Sequence, residues 1–164
     1  MDLNNSYKLY KLASKIINKC RSKKFKISVA ESCTGGLISS IITSIPGSSD
    51  VFECGFITYS NNSKRKILNV SQNTLSLYGA VSEEVVIEMI SGLKIRTQSD
   101  ILLAISGIAG PGGGTDEKPV GTVWIAIAGP RGVFTEKFQM GKGRDRVVEK
   151  TIFSALSRLL QLVN

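Results

Sequence analysis

Phe25-Lys26-Ile27-Ser28-Val29-Ala30-Glu31-Ser32-Cys33-Thr34-Gly35-Gly36-Leu37 is the stretch on which the reading of this chain turns. Its first half, Phe25 to Ala30, is a short β-prone run, and Leu37 to Ile45 reads as a helix that stops before Pro46. Between them stand a hydroxyl, a thiol, a second hydroxyl and two glycines. A strand that hands over to a helix through a tight turn is the building unit of an α/β domain. Main-chain NH groups at such a helix start are expected to be unpaired and to point outward. They then suit a phosphate, a carboxylate or the oxyanion of a tetrahedral intermediate. The same spacing also fits a plain helix cap by Ser32 or Thr34, with Gly35 and Gly36 only allowing the bend.

Upstream of this unit, Leu9, Leu12, Ala13, Ile16, Ile17 and Cys20 recur at helical spacing, with Lys8, Lys11, Lys15 and Lys19 largely on the other side. Residues 1 to 26 hold eight Lys/Arg and one acid, leaving thirteen bases and twelve acids elsewhere, so the net charge of +8 is concentrated at one end. Such a segment suits nucleic acid or an anionic membrane surface. A solvated amphipathic helix accounts for it more simply, because the body of the chain is nearly neutral, and neither partner is expected. No apolar stretch approaches the roughly 20 residues that span a bilayer, and the first 26 residues lack the compact apolar core of a signal peptide. The expected location is the cytoplasm.

Downstream, Val51 to Tyr59 is a second strand, and Asn61 or Asn62 caps a short helix containing Lys64, Lys66 and Leu68. Ser82 suits the N-cap of a helix that begins Glu83-Glu84 and continues through Val85, Val86, Met89, Ile90 and Leu93. Ile101 to Ser106 is nearly all apolar, the mark of a strand covered on both faces. Val120 to Ala128 and Val133 to Met140 form a hairpin turned at Gly129-Pro130-Arg131-Gly132, and a last helix runs from about Arg144 to Leu162. The fold class expected is α/β: one domain over residues 1 to 164, three layers α/β/α, with helices flanking a mixed, mostly parallel sheet.

The chain contains no histidine, which removes the usual base for a serine or cysteine nucleophile. Cys20, Cys33 and Cys54 are odd in number and show no CxxC spacing, so neither a disulfide framework nor a metal site is expected. A nucleophilic Ser32 therefore needs a lysine whose pKa is lowered by burial, or a tyrosine. Tyr59 and Lys64 leave the end of the second strand, where a neighbouring strand end can bring them beside Ser32. Lys64 within Lys64-Arg65-Lys66 equally fits a surface charge. Cys33 is a second candidate nucleophile, although a buried inert thiol is the ordinary case. The loop Gly107-Ile108-Ala109-Gly110-Pro111-Gly112-Gly113-Gly114-Thr115 matches neither GxGxxG nor GxxxxGK[ST]. Its glycines let the backbone approach a ligand closely, and Arg144 can pair with a phosphate.

Several segments carry a family resemblance when taken together: Ala30 to Gly36, Gly55 to Asn61 with Lys64, Gly79 to Ser82, Ser106 to Gly113, and Lys118 to Val123. In this order, over roughly residues 8 to 160, they resemble the CinA C-terminal domain family, the PncC-type nicotinamide-nucleotide amidases. The resemblance implies hydrolysis of the carboxamide of nicotinamide mononucleotide, without metal or organic cofactor, in recycling toward NAD. It assigns Ser32 as nucleophile, Lys64 as base and Tyr59 as an assisting hydroxyl. Thr34, Gly35 and Gly36 line the oxyanion site, and Gly107, Gly110, Gly112 and Arg144 hold the nucleotide. The larger family members carry a further N-terminal domain, and this chain resembles the stand-alone form. Val148 stands where the family pattern has a second arginine four residues after Arg144. The family also suggests a homodimer, with the apolar face of the N-terminal helix as a contact. A catalytically inactive nucleotide-binding or partner-binding module of the same fold is the alternative.

Overall fold

β1 (Ile27–Glu31) is buried along its whole length, because strands pair on both its edges and helices cover both its faces. It is parallel to β2 (Phe52–Ile57) on one side and to β3 (Ile101–Gly107) on the other. β3 pairs antiparallel with β4 (Thr122–Gly129), and β4 antiparallel with β5 (Gly132–Gln139), giving the order β2-β1-β3-β4-β5. Two antiparallel steps return β5 to the direction of β3, so only β4 opposes the other strands. The computed structural model describes residues 3–164, with side chains from residue 5 onward.

The helices form the outer layers. α1 (Leu3–Lys23), α2 (Leu37–Thr43) and α6 (Arg144–Val163) share one core with Val29, Leu103, Ile105, Ile125 and Ile127 of the sheet. α3 (Asn61–Leu68), α4 (Gln72–Tyr78) and α5 (Glu83–Arg96) cover the opposite face. Successive strand residues alternate between the two cores, as the pleat requires. Leu103 and Ile105 face one way and Leu102 and Ala104 the other, which is why this strand reads as an unbroken apolar run. The three-layer α/β/α arrangement expected from the sequence is the one observed. Among the described residues no helix is long and apolar enough to cross a membrane.

The two faces of the sheet differ in side-chain size. Large aliphatic residues meet α1 and α6, whereas Ala30, Ala104, Ala126 and Ala128 meet α5. Small residues there leave room for α5 to lie close to the sheet. Gly92 extends the same economy to the neighbouring helix. A Cβ at Gly92 would stand 2.2 Å from the carbonyl oxygen of Leu68, the last residue of α3.

Three local expectations change. α3 is capped by Ser60, not by Asn61 or Asn62: the Ser60 hydroxyl accepts from the Ser63 NH at 3.0 Å, and the Ser60 NH donates to the Ser63 hydroxyl at 3.1 Å. This reciprocal box fixes the register of the helix that carries Lys64. α4 has no counterpart in the sequence reading, because it buries only Leu75 and so shows no apolar period. The apolar stripe of α1 is not left for a second copy. Leu9, Ala13, Ile16, Ile17 and Cys20 are already buried in the core shared with α6.

Gly92→Ala is expected to destabilise the protein by about 2–3 kcal/mol, because the new methyl meets helix backbone rather than a movable side chain. Urea unfolding of the variant beside the wild type measures this, and a loss under about 0.5 kcal/mol would refute the close-approach argument.

Candidate active site

Parallel β1, β2 and β3 deliver their C-terminal ends to one edge of the sheet, the place where open α/β sheets bind ligands. Ser32 follows β1, Tyr59 and Lys64 follow β2, and Gly107 ends β3. A cavity of about 250 Å³ opens there. It brings together Ser32, Tyr59, Lys64, Gly107, Gly110, Gly112 and Arg144. Thr34, Gly35 and Gly36 do not line it.

Lys64 is the most unusual residue in the structure. It lies in the first turn of α3 with only 1% of its surface exposed. Its Nζ donates to Ser32 Oγ at 2.9 Å and to the carbonyl oxygen of Thr58 at 2.8 Å. Among the described residues no carboxylate forms an ion pair with it. Burial therefore lowers its pKa to about 8, with the adjacent Cys33 opposing the shift. Keeping this lysine charged inside the fold costs on the order of 3 kcal/mol. The Cys33 thiol is pushed in the other direction, up to about 12, chiefly by its own burial. Near neutral pH it stays protonated, which disfavours it as a nucleophile.

The turn after β1 departs from expectation through one residue. Glu31 is fully buried, and its carboxylate accepts five hydrogen bonds. The Thr34 hydroxyl at 2.6 Å, the Gly36 NH at 3.0 Å and the Ile38 NH at 3.2 Å donate to Oε2. The Ser39 NH at 2.8 Å and its hydroxyl at 2.7 Å donate to Oε1. The Gly35 NH donates to the Ser32 carbonyl, and the Leu37 NH to the Thr34 carbonyl. The expected row of outward NH groups at the start of α2 is thus already occupied, because a carboxylate at the end of β1 reaches back as its cap. Among the described residues the NH groups of Cys33 and Thr34 make no hydrogen bond to another residue, and the Cys33 NH lies against its own thiol. These adjoin Ser32.

Arg144 is exposed at the first position of α6. Its guanidinium donates to the Tyr59 hydroxyl at 3.0 Å and to the Gly110 carbonyl at 3.1 Å. Tyr59 is therefore engaged with Arg144 rather than with Ser32 or Lys64. Gly107 is required by packing, since a Cβ there would lie 2.7 Å from Val123 and 2.9 Å from the Cys33 sulfur. Gly110 adopts a left-handed conformation with φ +86, and Gly112 faces open space. Sequence reasoning assigned no role to Ala80, Val81 and Ser106, which complete the wall. Lys118 holds that segment by donating to the carbonyls of Tyr78 and Val81.

Lys64→Met is expected to raise stability by about 3 kcal/mol at pH 7, since methionine fills similar space without a charge to desolvate. The folded pKa lies below the unfolded value of 10.5, so the unfolded chain binds the extra proton. The gain should be full below pH 8 and shrink as pH rises toward 10.5. Denaturant unfolding of both proteins across this range measures the difference, and a pH-independent difference would contradict the buried-ammonium account.

The profile of the CinA C-terminal domain matches residues 9–163. The nicotinamide-nucleotide amidohydrolase PncC of Enterobacter agglomerans is 46% identical over 158 residues, which are 95% of this chain and 96% of that protein. A CinA-like protein of Amoebophilus asiaticus (strain 5a2) is 46% identical over 139 residues, 85% of this chain but 33% of that protein. The chain thus spans about a third of the length of such CinA-like relatives. The crystal structure of competence/damage inducible protein CihA from Agrobacterium tumefaciens superposes with a TM-score of 0.92 at 40% identity, covering 95% of this chain and 96% of that one. The chain belongs to the CinA C-terminal domain family.

Proposed function

We propose that this chain is an amidohydrolase that converts nicotinamide mononucleotide and water to nicotinate mononucleotide and ammonia, in the recycling of pyridine nucleotide. The observation that carries the reading is the buried 2.9 Å contact between Lys64 Nζ and Ser32 Oγ. The near full-length similarity to the PncC amidohydrolase of Enterobacter agglomerans suggests the substrate.

The chemistry follows from the lysine. Once neutral, its amine donates one N–H to the Thr58 carbonyl and turns its lone pair toward Ser32, which then donates its proton as it attacks the carboxamide carbon. The carbonyl oxygen becomes an oxyanion, and Cys33, on the cavity wall directly after Ser32, offers its NH to it. The C–N bond breaks as the Lys64 ammonium returns the proton to the leaving nitrogen, which departs as ammonia. A water molecule, deprotonated by the same amine, then releases the carboxylate product from Ser32. A pKa of about 8 suits both halves, because the amine must take a proton and give it back. Arg144 supplies an exposed guanidinium for the phosphate, and the glycines at 107, 110 and 112 allow the backbone to lie along the nucleotide. Among the described residues the wall of the cavity holds Lys64 and Arg144 and no carboxylate, which favours an anionic ligand.

Ammonia release from nicotinamide mononucleotide by purified protein tests the proposal. Turnover should persist with a chelator and fall by roughly 10³-fold or more in Ser32→Ala and Lys64→Met. Its rate should rise with pH through a midpoint of about 8, as Lys64 loses its proton. Nucleotide binding without turnover would favour a binding module instead, and a profile flat from pH 6 to 10 would remove Lys64 as the base.

A further inference from the structure

We propose that Glu31 is a positioning residue for this reaction: its carboxylate holds the Ser32–Thr34 turn so that the serine hydroxyl meets Lys64 and the Cys33 NH stays at the cavity wall. The inference rests on the amidase reading above and concerns a residue that touches neither the substrate nor the base.

Three observations carry it. First, the carboxylate precedes the nucleophile and all five of its donors follow it: Thr34 lies in the turn, and Gly36, Ile38 and Ser39 lie beyond it. One side chain thus clamps the turn onto the start of α2. Second, the main chain of Glu31 is tied to the base. Its carbonyl accepts from the Thr58 NH at 2.8 Å, and the Thr58 carbonyl accepts from Lys64 Nζ at 2.8 Å. Glu31, Thr58, Lys64 and Ser32 therefore form a closed ring, completed by the Lys64–Ser32 contact.

Third, the shell is specific for a carboxylate. The contacts include three main-chain NH groups, which can only donate, and they reach both oxygens. A glutamine amide would oppose at least one of them with a donor of its own, leaving a buried NH unpaired. Full burial makes that mismatch expensive. Occupation of the α2 start also keeps the substrate's anionic groups from docking there, which leaves the phosphate to Arg144.

Glu31→Gln, close to isosteric, tests the idea. The expected result is a folded protein whose kcat for nicotinamide mononucleotide falls about 100-fold, the scale of a misplacement near 1 Å. KM should stay within about threefold of the wild-type value, since the Arg144 contacts are untouched. The midpoint of the pH profile should stay near 8, because Lys64 remains buried. Labelling of Ser32 by a fluorophosphonate probe should slow by a similar factor, with Ser32→Ala as the blank.

A folded Glu31→Gln protein with kcat within threefold of wild type would overturn the proposal. So would a midpoint that drifts up toward that of an ordinary lysine, which signals a site opened to water rather than a displaced turn. Should Glu31→Gln fail to fold, Thr34→Val and Ser39→Ala each remove one donor, and unchanged kcat in both would also overturn it. Wild-type labelling without ammonia release refutes the substrate while the labelling ratio still decides Glu31. Absence of labelling in the wild type refutes the serine nucleophile, and this inference with it.

Discussion

A lysine amine shut away from water, with no carboxylate among the described residues to balance it, is the constraint around which this molecule is arranged. Lys64 has two neutral oxygens for company, one from a serine and one from the backbone. Such an arrangement works against folding at neutral pH and persists only if the surroundings hold it in place. The restraint comes from far outside the cavity. Alanines on one face of the sheet admit α5, and Gly92 on α5 admits the end of α3. The helix that carries the lysine is thus wedged between a capping box at its start and a backbone contact at its end.

A complementary solution sits one strand away. Glu31 is buried as deeply as Lys64, yet the two do not pair. The carboxylate is solvated by hydroxyls and main-chain NH groups instead. Had the two side chains met, the lysine would be held in its charged form and the serine would have no base. Keeping the carboxylate and the amine apart, one in a turn and one on a helix, is what separates this arrangement from an ordinary buried ion pair.

The order of strands and helices was legible because each long element has a clean period, as in Leu9 to Cys20 and Ile101 to Ser106. The cluster of Ser32, Tyr59, Lys64 and Arg144 was legible as a set of segments, since parallel strands place their following loops on one edge. The direction of Lys64 was not, because a lysine between Ser63 and Arg65 has the composition of a solvated surface, and its burial depends on α5 passing nearby. Glu31 escaped for a related reason. Its five partners span residues 34 to 39, and nothing in their types distinguishes a cap for a carboxylate from a cap for a ligand. α4, with Leu75 as its one buried side chain, left no period to read.

The pairing of the first helix with the last bears on how the chain is made. α1 leaves the ribosome early with an apolar stripe whose main helical partner, α6, begins at residue 144. At about 5–20 residues per second, that surface waits on the order of ten seconds for its cover. Arg144 arrives with the same helix, so serine and lysine are synthesised well before the guanidinium at the mouth of the cavity. Closure of the core and completion of the cavity wall are consequently one event, and a chain interrupted before residue 144 would have neither.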